Sequence, residues 1–122
     1  MKRCLVIDDC EFNRITACKL IDILGLDFED YENPFDAYEK IADGHYDAIL
    51  LDWHLENNYT GIDFLKHIRN TEHGRTIPVF IYSAIEGKEG IYKAINGTAD
   101  GFIPKPITLG KLTENFQAHG LI

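Results

Sequence analysis

Four short apolar runs, each ending at a polar residue, constrain this chain more than any other feature in it. Cys4-Leu5-Val6-Ile7 runs into Asp8 and Asp9, and Ala48-Ile49-Leu50-Leu51 runs into Asp52. Val79-Phe80-Ile81-Tyr82 is followed by Ser83, and Gly101-Phe102-Ile103-Pro104 by Lys105-Pro106. Short uninterrupted apolar runs suit strands buried on both faces, as in a parallel sheet. A fifth segment, Asp27 to Tyr31, alternates acidic with aromatic residues and reads as a weaker, edge-like strand.

Helix-like segments separate these runs. The first spans about 11–24, with Phe12, Ile15, Cys18 or Lys19, and Asp22 along one line, and Ile15, Leu20, Ile21 and Leu24 giving a broad apolar side. Gly25 is a fitting stop for it. Asn33-Pro34 reads as an N-cap with proline in the first turn, opening a short helix that carries Phe35, Ala37, Tyr38 and Ile41. Further helices are expected with Ile62, Leu65 and Ile68 on one face, over 86–95, and from Thr108 with Leu112 and Phe116. Five strands alternating with five helices imply an α/β fold, a doubly wound parallel sheet covered on both faces. At 122 residues the expectation is one domain over 1–122, without an output domain.

Composition narrows the function. A formal net charge of -8 argues against direct nucleic-acid binding, which needs a basic stripe. No apolar run approaches the roughly 18 residues of a membrane span. The apolar stretch at the N-terminus is too short for a signal peptide, so a cytoplasmic location without membrane insertion is expected. Cys4, Cys10 and Cys18 have neither zinc-knuckle nor redox-dithiol spacing and read as reduced thiols, with Cys4 a small core residue.

In an open α/β sheet, ligands bind at the carboxyl ends of the strands, where all these polar stations fall. Adjacent carboxylates repel each other, and a third nearby makes the cluster costly without a cation. Mg2+ suits such a set, being hard and partial to oxygen. Lys105 offers a point charge for a phosphoryl group, Ser83 a hydroxyl, and Asp52 a carboxylate nucleophile able to form an aspartyl phosphate.

Asp8-Asp9, Asp52, Ser83 and Lys105-Pro106, in this order over the whole chain, resemble the receiver domain of two-component response regulators. The resemblance implies a flavodoxin-like, CheY-like sheet of strand order 2-1-3-4-5. It makes Asp52 the phosphoacceptor and a Mg2+ ligand and Asp9 a direct Mg2+ ligand, with Asp8 acting through water and the backbone carbonyl of His54 completing the metal shell. Ser83 and Lys105 contact the phosphoryl group, Ser83 and Phe102 form the switch, and the Lys105-Pro106 bond is cis. His54 and Ile85 are expected to set the lifetime of the phosphorylated state. Asn13, Arg14 and Ala17 on the first helix are candidate contacts for the phosphodonor. Two departures stand out: Glu56 occupies the place of a common proline, and Gly61 comes one residue later than in the family pattern.

A single-domain response regulator follows from the resemblance. A histidine kinase or histidine phosphotransfer protein is the donor, and output passes through a downstream protein target or a phosphorelay. The chain is expected to be a monomer or a phosphorylation-dependent dimer, with no enzymatic role beyond its own phosphorylation and dephosphorylation. Phosphorylation would alter a surface spanning roughly 88–116. The alternative within this fold is a phosphorylation-independent pseudo-receiver that only binds. A phosphohydrolase with an aspartate nucleophile commonly carries a second aspartate two residues on, where this chain has His54. No glycine-rich loop of the P-loop type is present.

Overall fold

The computed structural model describes residues 2–55, 59–84 and 99–122. Five parallel strands form one sheet in the order β2-β1-β3-β4-β5, as the receiver-domain resemblance implies. They are β1 (Arg3–Ile7), β2 (Asp27–Tyr31), β3 (Ala48–Asp52), β4 (Val79–Ser83) and β5 (Gly101–Pro104). Among the described residues the α-helices are α1 (Glu11–Ile23), α2 (Tyr38–Ala42), α3 (Gly61–Ile68) and α4 (Leu109–Ala118). The expected helix over 86–95 lies outside the described residues, as do Glu56 and Ile85.

Side chains alternate across a strand, so each apolar run feeds two cores. Leu5, Ile7, Ile49, Leu51, Val79 and Ile81 point to one face and pack with Ile41 of α2 and Phe64, Leu65 and Ile68 of α3. Cys4, Val6, Leu50, Phe80, Tyr82 and Ile103 point to the other, against Ala17, Cys18 and Ile21 of α1 and Leu112 and Phe116 of α4. Every residue of β3 and β4 is buried, which fits their central positions. Edge strand β2 alternates half-buried with exposed positions, as its mixed sequence requires.

Local sequence explains the element ends. Gly25 adopts φ 80° just past α1, a left-handed conformation cheap only for glycine. Asn33 accepts a hydrogen bond from the Phe35 amide, and Pro34 opens a 3₁₀ turn (Pro34–Ala37) leading into α2. Thr60 and Asp63 form a reciprocal capping box at the start of α3.

Helix α1 seats most of its expected apolar side on the sheet: Ile21 is buried with Leu20 and Leu24 packed beside it, whereas Ile15 is not. Ala17, Cys18 and Ile21 are buried, whereas Phe12 is 75% and Ile15 45% exposed. The small side chains at 17 and 18 face the sheet beside Ile21, and Phe12 and Ile15 turn to solvent. Burial of Ala17 removes it from the candidate donor contacts. Arg14 is also committed within the fold: it donates to Asp30 at 3.1 Å and to the Asp8 carbonyl at 2.7 Å.

Candidate functional site

Strand register assembles the predicted stations. Ile7 lies beside Leu51, Asp52 beside Tyr82, and Ser83 beside Pro104, so the carboxyl ends of β1, β3, β4 and β5 are level. Asp8 and Asp9 leave β1, Asp52 ends β3, Ser83 ends β4, and Lys105 follows β5. Asp8, Asp52 and Ser83 are the buried polar or charged residues among those described.

Lys105 ties the cluster together. Its Nζ donates to Asp52 Oδ1 at 3.0 Å and to Asp8 Oδ2 at 3.2 Å. The peptide bond after it, to Pro106, is cis. The backbone of Lys105 is held by a 2.8 Å hydrogen bond from its amide to the Ser83 carbonyl. Asp8 Oδ1 accepts from the Cys10 amide at 2.8 Å, which fixes the turn between β1 and α1.

Carboxylate oxygens of Asp8, Asp9 and Asp52 lie within 4.8 Å of one another. Three carboxylates facing one ammonium leave the cluster short of positive charge. Burial pushes the Asp52 carboxyl up to about 7, and the Asp8 charge adds to the rise, while Lys105 opposes it through its hydrogen bond and charge. Asp9 is also raised, by partial burial and then by Asp8. Burial lowers Lys105, but its contacts with Asp52 and Asp8 outweigh this and hold the ammonium above its ordinary value. An all-oxygen, carboxylate-rich donor set with water access at exposed Asp9 fits Mg2+ rather than a softer metal.

The loop after β3 folds back on itself. Trp53 and Leu55 are buried, and residues 54 and 60 form an antiparallel bridge. Its hydrogen bonds run between the flanking residues: Gly61 N to Trp53 O at 2.7 Å, and Leu55 N to Tyr59 O at 2.9 Å. His54 and Thr60 are therefore a non-hydrogen-bonded pair, and the His54 carbonyl points away from residues 59–61. Its side chain is exposed. The late glycine has a steric cause, since a Cβ at Gly61 would sit 2.3 Å from the Asp52 carbonyl oxygen. Phe102 is half-buried and packs against the core shared with α2 and α3.

One residue in contact with the cluster escapes the sequence reading. Tyr82, fully buried in β4, donates its hydroxyl to Asp8 Oδ2 at 2.5 Å, and Lys105 Nζ lies 4.6 Å from its ring centroid. Burial and then the Asp8 charge push its phenol far up, so it remains a donor. The available signal was a phenol inside an otherwise apolar central run, because buried tyrosine hydroxyls need partners.

Comparison with known proteins agrees with this architecture. Residues 4–117 match the response regulator receiver domain family. The chain is 29% identical over 114 residues to chemotaxis protein CheY-3 of Vibrio cholerae, covering 93% of this chain and 87% of that protein. It is 30% identical over 120 residues to the phosphate regulon transcriptional regulatory protein PhoB of Escherichia coli, covering 96% of this chain and 51% of that one. Among solved structures, chemotaxis protein CheY4 of Vibrio cholerae shares the fold with a TM-score of 0.86 at 21% identity, over 97% of this chain and 98% of that one. A two-component response regulator from Clostridium difficile gives a TM-score of 0.83 at 26% identity, over 97% and 94% of the two chains. With the family match spanning nearly the whole chain, and five parallel strands carrying its acidic cluster, the protein belongs to the response regulator receiver domains.

Proposed function

We propose that the chain accepts a phosphoryl group on Asp52 from a phosphohistidine of a histidine kinase or phosphotransfer protein, and signals through protein contacts or a phosphorelay. The carrying observation is Lys105 bridging Asp52 and Asp8 at the edge of a three-carboxylate cluster. A carboxylate oxygen of Asp52 forms the new O–P bond as the P–N bond to the donor imidazole breaks, and the electron pair leaves with that nitrogen. Asp9 and Asp52 offer direct oxygen ligands for Mg2+, the His54 carbonyl a further one, and Asp8 a contact through water. When bound, Mg2+ neutralises charge on the transferring phosphoryl oxygens. Lys105 pairs with a phosphoryl oxygen, and the Ser83 hydroxyl donates to another.

Phosphorylation then shifts an existing equilibrium between two conformers, with Ser83 and Phe102 as the coupled pair. The chemistry is confined to the chain's own Asp52, so the protein acts as a regulator rather than an enzyme on other substrates. Among the described residues no helix is long and apolar enough to cross a membrane. We assign the chain to the cytoplasm with its donor. A complete set of acidic, hydroxyl and lysine groups favours this reading over a pseudo-receiver that only binds. Intact-mass spectrometry after incubation with Mg2+ and an acyl-phosphate donor tests it: wild type gains one phosphoryl mass and Asp52→Asn gains none. Equal behaviour of the two proteins would refute the assignment of Asp52.

A further inference from the structure

Tyr82 touches both partners of the ion pair that the proposed function sets in motion. Its hydroxyl reaches Asp8 Oδ2 at 2.5 Å, and its ring face supports the Lys105 ammonium at 4.6 Å. Asp8 Oδ2 thus accepts two hydrogen bonds, from Tyr82 and Lys105, while Oδ1 accepts one from the Cys10 amide. A carboxylate oxygen has two lone pairs, so Oδ2 is filled by these two donors. Asp8 is fully buried, so a donor that leaves Oδ2 without replacement costs the desolvation of a charged oxygen.

This arrangement bears on how Lys105 can move. To meet a phosphoryl oxygen on Asp52, the ammonium must give up part of its pairing with Asp8. Stripping a buried carboxylate of its partner is costly when nothing else donates to it. Here the Tyr82 hydroxyl remains on the same oxygen, and its ring offers the ammonium a favourable face during the shift. We infer that Tyr82 is a positioning residue of the phosphoryl-transfer site: its hydroxyl holds Asp8 Oδ2 so that Lys105 is released to the phosphoryl group and Asp8 stays an outer partner of the cation. This inference rests on the proposed function. A tyrosine present only to fill the core would be matched by phenylalanine.

Tyr82→Phe keeps the ring and deletes only the hydroxyl. In metal-free wild type, the buried hydroxyl gives an exchange-protected proton far downfield in the NMR spectrum, and Tyr82→Phe lacks it. Titration with Mg2+ alone, read by Trp53 fluorescence, gives tighter binding in Tyr82→Phe because Oδ2 is freed. Phosphorylation by an acyl phosphate at saturating Mg2+ slows by about tenfold or more, the rate equivalent of one hydrogen bond to a charged group. Tighter metal binding with slower transfer is a split that lost packing does not produce. The inference is overturned if wild type lacks the downfield proton, if both quantities are unchanged, or if both weaken together alongside a fall in Tm. A wild type that never gains phosphate mass would sink the proposed function instead, while the NMR and Mg2+ results would still judge Tyr82.

Discussion

Asp52 carries a proton at pH values where an ordinary aspartate has lost its own. Its carboxyl titrates at about 7 in the fold because it is buried and faces Asp8, against about 3.9 in an unfolded chain. Between those values the folded state binds a proton that the unfolded state does not, so stability falls as pH rises through this window. Asp52→Asn removes the ionisation and the loss that accompanies it. The variant should therefore gain stability over metal-free wild type as pH rises from about 5 to about 7.5, read as a widening Tm gap. A gap that stays constant across this range would contradict the raised Asp52. Mg2+ competes with the same proton, so its affinity for wild type rises with pH over the same interval. Legibility at this scale was uneven. Asp8, Asp9, Asp52, Ser83 and Lys105 could be found because each interrupts or ends an apolar run. Tyr82 showed only as a phenol within an apolar run, and its partner could not be named, because Asp8 lies 74 residues away and strand order brings it within reach.

Helix α3 and the loop before it set the position of the β3 end from the other side. Thr60 Oγ1 accepts from the Asp63 amide at 3.1 Å, and Asp63 Oδ2 accepts from the Thr60 amide at 3.2 Å and hydroxyl at 2.9 Å. Loss of the Thr60 side chain removes both hydroxyl contacts. Thr60→Ala should cost about 1 kcal/mol in urea unfolding at unchanged m-value. The strands were readable because runs buried on both faces leave little ambiguity of type. Helix α1 was readable as an element and, through Leu20, Ile21 and Leu24, in part of its facing. Periodicity ranks residues by hydrophobicity, whereas packing on a flat sheet rewards close approach by small side chains. Ala17 and Cys18 won that position over Phe12 and Ile15. The antiparallel bridge between 54 and 60 was hidden for another reason: it depends on a backbone reversal within a polar loop, which carries no apolar period.

Across the whole molecule, acidity and fold are coupled through the sheet's carboxyl edge. The chain carries a net charge of -8, and its buried aspartates sit together rather than dispersed. A ligand that binds only the folded state stabilises it by mass action, by about 2.7 kcal/mol at one hundred times its dissociation constant. Mg2+ should therefore raise Tm by several degrees at neutral pH, and a chelator should reverse the gain. Monovalent salt at equal ionic strength should not reproduce it, and Asp9→Asn should abolish most of it. A similar rise in wild type and Asp9→Asn would mean general charge screening rather than a site.

The fold-back after β3 clamps the end of that strand. Its stem is closed by two backbone hydrogen bonds, plugged by Trp53 and Leu55, and anchored by a capped helix whose first residue lies against the Asp52 carbonyl. The Asp52 backbone is thus held from the loop side by residues that take no part in the chemistry of its carboxylate.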